Sequence, residues 1–224
     1  MVRFVATSSM ARCDTYLVSN IKTADDFVDS PSKSYAWFSI LFGLLGWVAA
    51  FSLTLERIHV AADPDAVLSC DMNIFISCKS VMLTDQARLF GFPNPLIGLA
   101  AFMAPVFVGF AVLAGAKFKM WFWRLYLVGL SLGFVFVLYL FIQSTFVIHV
   151  LCPYCMLAWV AMIPLFWRNF LWAGAEGVID VPVKSIGWFV RSQDHSWVYS
   201  LGIELLAALA IILSFWNSWY LLFR

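Results

Sequence analysis

Four of the five cysteines in this chain fall into two pairs, Cys70 with Cys78 and Cys152 with Cys155. Cys152-Pro153-Tyr154-Cys155 is a C-x-x-C motif at the start of an apolar run. On a helix, positions i and i+3 share a face, close enough for their sulfurs to bridge. A helix N-terminus offers free N–H groups and the positive end of the dipole, which stabilise a thiolate. The thiolate is the attacking species in disulfide exchange. Pro153 suits a first helical turn, where its missing N–H is not needed. The same motif also serves a structural disulfide, or half of a zinc site with two further ligands.

Cys70 and Cys78 are separated by seven residues, so they cannot meet across one helical face. They can meet across a loop, and Asp71, Asn73 and Ser77 permit turning there. Alone, this pair reads as a static bridge pinning a loop. Beside a C-x-x-C on the same side of a membrane, it reads as the outer half of a relay, collecting electrons that the inner pair delivers. The four sulfurs could instead bind one zinc ion, although the seven-residue gap is wider than the usual metal knuckle. No metal is expected.

The elements that must position these residues are membrane helices. Of 224 residues, 63% are hydrophobic and 12% charged, against about 45–50% and 25% in soluble domains. The net charge of +1 gives no reason to expect a nucleic-acid partner. Five apolar runs, roughly Ala36–Leu55, Leu96–Ala116, Leu125–Ile148, Pro153–Trp172 and Trp197–Tyr220, approach or exceed the roughly 20 residues needed to cross a bilayer as a helix. None alternates with period two, as barrel strands would. Tyr35, Trp37, Trp121, Trp123, Trp172, Trp197, Trp219 and Tyr220 sit near run ends, where amphipathic rings favour the interface. Arg168 interrupts the fourth run, and Pro164 is expected to kink it.

With the N-terminus inside, ten Lys and Arg residues fall on inner segments and four on outer ones, so an N-in, C-out orientation is expected. The expected organisation is a cytoplasmic polar tail (1–34) without a signal-peptide pattern, a four-helix transmembrane domain (35–172) with an outer loop (56–95), a cytoplasmic linker (173–196) and a fifth transmembrane helix (197–224). The fold class is thus an all-α integral membrane protein, a four-helix bundle plus a fifth helix. Cys13 falls inside, and the other four cysteines fall on the outer, oxidising side. Val81–Phe92 is expected to form a short amphipathic helix on the lipid or over the bundle. His149 either tunes thiolate formation or marks the interface. Glu204, inside the fifth helix, is a functional suspect or a snorkelling carboxylate.

A C-x₇-C in the first outer loop, followed by a C-x-x-C opening the fourth helix, resembles the vitamin K epoxide reductase family. Cys70-Asp71 and Ile76-Ser77-Cys78 resemble its loop. The stretch Phe90-Gly91-Phe92-Pro93-Asn94-Pro95-Leu96-Ile97-Gly98 resembles its bacterial members at the start of the second helix. The resemblance covers about residues 35–172. The tail and fifth helix lie outside it and suggest a bacterial-type member without a fused thioredoxin domain.

The resemblance implies a four-helix bundle around a quinone of the menaquinone, ubiquinone or vitamin K type, with the loop as a lid. Cys70 would exchange with a separate thioredoxin-like (DsbA-like) protein in the periplasm or another extracytoplasmic space. Cys78 would pass electrons to Cys152, and Cys155 would reduce the quinone. Asn94 matches the family's quinone-binding asparagine, and is also placed to cap a helix or turn before Pro95. Trp159 stands where the animal enzymes carry a tyrosine; its indole N–H donates but it has no hydroxyl, which puts epoxide reduction and coumarin sensitivity in doubt. Phe102, Phe107, Phe134, Tyr139 and Phe146 are candidate enclosing aromatics, though such residues are more often packing.

The implied enzyme is a quinone-dependent thiol oxidoreductase that supports disulfide formation in secreted proteins. It would be a multi-pass protein of a bacterial plasma (inner) membrane, with its active site on the extracytoplasmic side. The competing reading is a transporter or assembly factor with static disulfides, but no internal repeat or broken helix of the transporter kind stands out. A DsbB-type oxidase would place its C-x-x-C in the first outer loop, contrary to the order here.

Overall fold

A computed structural model describes residues 26–216. Among these residues the α-helices are α1 (Lys33–Ala62), α2 (Cys78–Met82), α3 (Pro95–Leu113), α4 (Met120–Ile142), α5 (Pro153–Ala175), α6 (Val183–Gln193) and α7 (Ser196–Ser214). A 3-10 turn spans Asp85–Arg88, and a π-helical turn, Gln143–Ile148, extends α4. α1, α3, α4 with its π-turn, α5 and α7 are long and apolar enough to cross a membrane, and the protein is an all-α, multi-pass membrane protein.

Local chemistry sets the helix starts. The Ser32 side chain accepts the Tyr35 N–H at 3.3 Å and caps α1. Pro95 and Pro153 open α3 and α5, where the absent N–H has no helical partner to lose. With 30 residues, α1 is about 45 Å long at 1.5 Å per residue, well beyond the ~30 Å hydrocarbon core. Its last turns therefore carry side chains such as Glu56 and Arg57 toward the loop that holds the first cysteine pair.

α5 lies against α1, α4, α6 and α7, and α1 lies along α3. Small residues let α1 and α3 approach. A Cβ on Gly43 would sit 2.8 Å from Val106 Cγ2, and one on Gly109 would sit 2.6 Å from Ile40 Cγ1 and 2.8 Å from the Ala36 carbonyl oxygen. At the end remote from the cysteine pairs, Trp123 packs against Trp172 with ring centroids 4.6 Å apart, and Tyr35 bonds the Asn169 carboxamide. Leu132 on α4 and Leu205 on α7 stay 66% and 69% exposed, which would be a liability in water but is the surface a bilayer requires.

The structure adds detail to several expectations. α5 is helical through Pro164 to Ala175. Arg168, on the same helix, lies over the Phe38 ring at 4.7 Å and donates to Ser34 Oγ at 3.3 Å, so its charge is held beside the first turns of α1. No single helix forms over Val81–Phe92. Ser77 starts α2 earlier by accepting the Ser80 N–H at 3.1 Å, and Thr84 Oγ1 closes on the Val81 carbonyl at 2.7 Å. The stretch 173–196 contains α6, which buries Phe189 against Gly174 and Phe170. Cys13, residues 1–25 of the polar tail, and the end of the fifth apolar run with Trp219 and Tyr220 lie outside the described residues.

The α1–α3 contact gives a stability prediction. Gly109→Ala should lower stability by about 1–3 kcal/mol, because its methyl meets backbone that cannot rotate away. Gly202→Ala, with nothing within 4 Å of its Cβ, should be neutral or mildly stabilising. Denaturation midpoints in detergent micelles decide this, and equal midpoints for both variants would refute the close packing.

Candidate functional site

The site is built where the loop after α1 meets the start of α5. The loop turns on its own polar side chains. Asn73 Oδ1 accepts the N–H groups of Phe75 and Ile76, each at 2.9 Å, an Asx turn of the kind this residue favours. Asp71 Oδ1 accepts from Ser77 Oγ at 2.7 Å and the Lys79 N–H at 3.1 Å, while Oδ2 accepts the Leu68 N–H at 3.3 Å. One carboxylate thus ties both flanks of the C-x₇-C loop together. Burial by itself would raise the Asp71 pKa, but the hydrogen bonds from Ser77, Lys79, Leu68 and Cys78 outweigh it and hold the carboxyl below its usual value. Cys70 and Cys78 are joined as a disulfide, with Cα atoms 5.7 Å apart.

Backbone pairing then brings the second cysteine pair to the first. The Leu151 N–H donates to the Phe75 carbonyl at 2.8 Å, and the Ser77 N–H donates to the Leu151 carbonyl at 3.0 Å. These bonds flank Ile76 and pair it with Leu151 in a parallel bridge; Cys78 follows two residues after Ile76 and Cys152 one after Leu151, and Cys152 Sγ lies 3.2 Å from Cys78 Sγ. Upstream, the π-turn ends at His149 in the left-handed region (φ 55°), a conformation uncommon for a residue with a Cβ but one His tolerates better than most. Ser144 Oγ bonds the Val150 carbonyl at 2.5 Å and holds the approach to Leu151. π-turns recur at functional sites, and here one redirects the chain from α4 toward the cysteine pairs.

Cys152 is fully buried at the N-cap of α5, and neither it nor Cys155 is bonded in a disulfide. The hydrogen bond from the Cys155 thiol lowers the Cys152 pKa most; burial opposes it, and the Cys155 and Tyr154 backbone N–H groups add to the lowering. The result is a thiol eased toward thiolate and held against a disulfide sulfur, which is the geometry of thiol–disulfide exchange. With Cys70 and Cys78 joined, the four sulfurs do not form a tetrathiolate set.

Behind the inner pair lies a cavity of about 350 Å³ between α1, α3, α4 and α5. Cys152, Cys155, Asn94 and Trp159 line it; Cys70 and Cys78 do not. Asn94 is buried but does not cap α3 with its side chain. Its Oδ1 accepts the Leu89 N–H at 3.1 Å and its Nδ2 donates to the Gln86 carbonyl at 2.7 Å. A carboxamide has a second N–H and a second acceptor lone pair to offer. Trp159 packs edge-on to Phe141, centroids 5.1 Å apart. Of the five candidate enclosing aromatics only Phe102 lines the cavity. Phe107 and Phe146 are 68% and 49% exposed, and Phe134 stacks on Phe166. Tyr126 and Phe136 line the wall instead.

The sequence reading missed Arg57 and Gln143 on the cavity wall, and Glu56, Ser69 and Tyr154 beside the cysteines. Their polar types near the ends of apolar runs were the available signal. His149 does not bond Cys152; its ring lies 6.0 Å from that of Phe215 and faces back to the Val147 carbonyl. Glu204 lies on α7, a helix that packs on α5 and the π-turn.

A sequence model described as the vitamin K epoxide reductase family matches residues 37–170, more than half of the chain. No curated protein matches the chain at a significant level.

Two outcomes are expected from this geometry. In a Cys70→Ala, Cys155→Ala double variant, Cys78 and Cys152 should join under mild oxidation, because their sulfurs already touch. Mass spectrometry would show the linked peptides, whereas two alkylatable thiols would contradict the placement. For Asp71, a folded-state pKa below the usual aspartate value of about 3.9 means that its contribution is present above that value and lost as pH falls through the lower folded-state value. Amide exchange over residues 68–79, corrected for intrinsic rates, should quicken in that acidic window, and should already be fast near neutral pH in Asp71→Ala.

Proposed function

The chain belongs to the vitamin K epoxide reductase family, and from that premise we propose that this membrane thiol–disulfide oxidoreductase carries electrons from an extracytoplasmic thioredoxin-like (DsbA-like) dithiol to a membrane quinone. One observation carries the proposal. The inner pair alone touches both partners of such a transfer, the loop disulfide through Cys152 and an apolar cavity through Cys155.

The transfer balances as three exchanges. A partner thiolate attacks Cys70, breaking the Cys70–Cys78 bond, and the partner's second thiolate resolves the mixed disulfide. The partner leaves oxidised, and the outer pair holds two electrons. The Cys78 thiolate then attacks Cys152 of an oxidised inner pair, Cys155 departs as thiolate, and Cys70 resolves the Cys78–Cys152 bond. The outer pair is again a disulfide and the inner pair a dithiol, which is the arrangement found here. Two unjoined thiols packed under a disulfide also speak against a purely static role.

The cavity suits a quinone by its chemistry. It lies within the range of about 300–1,000 Å³ usual for small-molecule sites, and like them it combines an apolar wall with few polar groups. In the third exchange a quinone bound there would accept two electrons and two protons from the Cys152–Cys155 dithiol, which closes to a disulfide. Asn94 would orient it through its remaining carboxamide N–H, Trp159 would wall it in, and Cys155 would face it. The family's helix order, and the basic residues Lys33, Lys117, Lys119 and Arg168 at the end remote from the cysteines, support an N-in orientation with the cysteines outside. In this reading the protein would sit in a bacterial plasma membrane and supply disulfides to secreted proteins.

Quinone reduction by purified protein with a dithiol donor tests the proposal. Cys155→Ala should abolish turnover with any donor. Cys70→Ala should fail with a protein donor, yet keep partial activity with a small dithiol that reaches the inner pair directly. Folded wild-type protein that reduces no quinone would remove the enzyme reading and leave structural disulfides in its place.

A further inference from the structure

In the proposed electron path Cys70 must meet a partner's cysteine, yet it is only 4% exposed and packs with Leu53, Val60, Leu68 and Met82. Something must hold it shut, and that hold must be releasable. Asp71, the residue after it, ties the loop to itself; the tie to α1 is on the residue before it. Ser69 Oγ donates to Glu56 Oε1 and lies 3.3 Å from the Tyr154 hydroxyl. Glu56 is a carboxylate 8% exposed in the late turns of α1, with its second oxygen 3.8 Å from Nδ1 of the exposed His59. Buried carboxylates are rare unless partnered, and no step of the transfer uses this one.

Two other ties secure the same loop, Arg57 Nη1 to the Met82 carbonyl at 3.1 Å and Lys79 Nζ to the Ala66 carbonyl at 3.0 Å. Neither sits beside Cys70. Among the described residues, only the Ser69 hydroxyl joins α1, the residue adjoining Cys70 and a residue inside the C-x-x-C motif. We propose that Glu56, through Ser69 and Tyr154, is a positioning residue that keeps Cys70 covered and sets how readily a protein donor reaches it. This rests on the proposed electron path for its purpose, but not for its test.

A buried hydrogen bond lost on truncation leaves its partner unsatisfied, and breaking it raises the population of locally opened loop. The measurement is the rate at which a small water-soluble phosphine reduces the Cys70–Cys78 disulfide, read by alkylation of the freed thiols. It uses the full chain in a Cys152→Ala, Cys155→Ala background, where neither quinone nor inner pair takes part. Glu56→Ala and Ser69→Ala should each speed reduction by about tenfold, the equivalent of losing about 1.4 kcal/mol of latch. Glu56→Gln, whose carbonyl still accepts from Ser69, should restore the slow rate to within about twofold.

Unchanged rates in both alanine variants would overturn the latch while leaving the electron path intact. If Glu56→Ala does not fold, Ser69→Ala decides alone. If Glu56→Gln is as fast as Glu56→Ala, the Ser69 bond is not what Glu56 contributes, and the proposal fails. Conversely, a wild-type protein that reduces no quinone would cost the electron path and leave the latch result standing.

Discussion

The parallel backbone pairing of Ile76 with Leu151 decides the rest of this structure. Disulfide exchange needs an attacking sulfur in line with, and in contact with, the sulfur it attacks. Cys78 and Cys152 come from segments 74 residues apart, separated by two membrane crossings. Side-chain packing alone would leave their sulfurs several alternatives. A pair of main-chain hydrogen bonds, Leu151 to Phe75 and Ser77 to Leu151, sets the register, and a register is discrete. Once it is set, the two cysteines that come after Ser77 and Leu151 have little choice but to meet.

Much of the surrounding architecture serves that pairing. Asp71 and Asn73 fold the loop so that Ser77 presents its N–H outward from a rigid turn. The π-turn and the left-handed His149 end α4 and deliver Leu151 on the other side. The fifth membrane helix contributes as well, although it lies beyond the matched family region. Its end brings Phe215 edge-on to Phe75, with centroids 6.1 Å apart, and Ser214 Oγ to the Thr145 carbonyl at 2.7 Å. The helix thereby braces both the loop and the π-turn, so a part of the chain without cysteines supports the cysteine geometry.

The site also separates two environments. The loop pair is sealed from the cavity, and the inner pair opens into it. On the proposed path, electrons would pass from a region bounded by loop and interface to one bounded by membrane helices. The close α1–α3 packing at Gly43 and Gly109 fits this division, because it closes one side of the bundle, and the cavity lies between that helix pair and α4 and α5.

Membrane character, the approximate spans and the pairing of cysteines by neighbourhood were legible in the sequence, since each depends on local composition or on spacing of a few residues. Hydropathy reports burial in lipid directly, and a C-x-x-C at a helix start carries its own geometry. Boundaries were less legible: a cap such as Ser77 starts α2 earlier than the apolar pattern does, and α6 hid in a stretch too short and too mixed to resemble a span. Of the candidate enclosing aromatics most do not line the cavity, in keeping with the packing role such residues more often have, because in a lipid-solvated bundle aromatic residues face both ways and composition does not say which. Only the tertiary structure decided that Asn94 braces residues 86–89 and that Glu56 reaches Ser69. Those facts depend on how irregular loop segments fold back on the helices, and no periodic pattern encodes where such partners will meet.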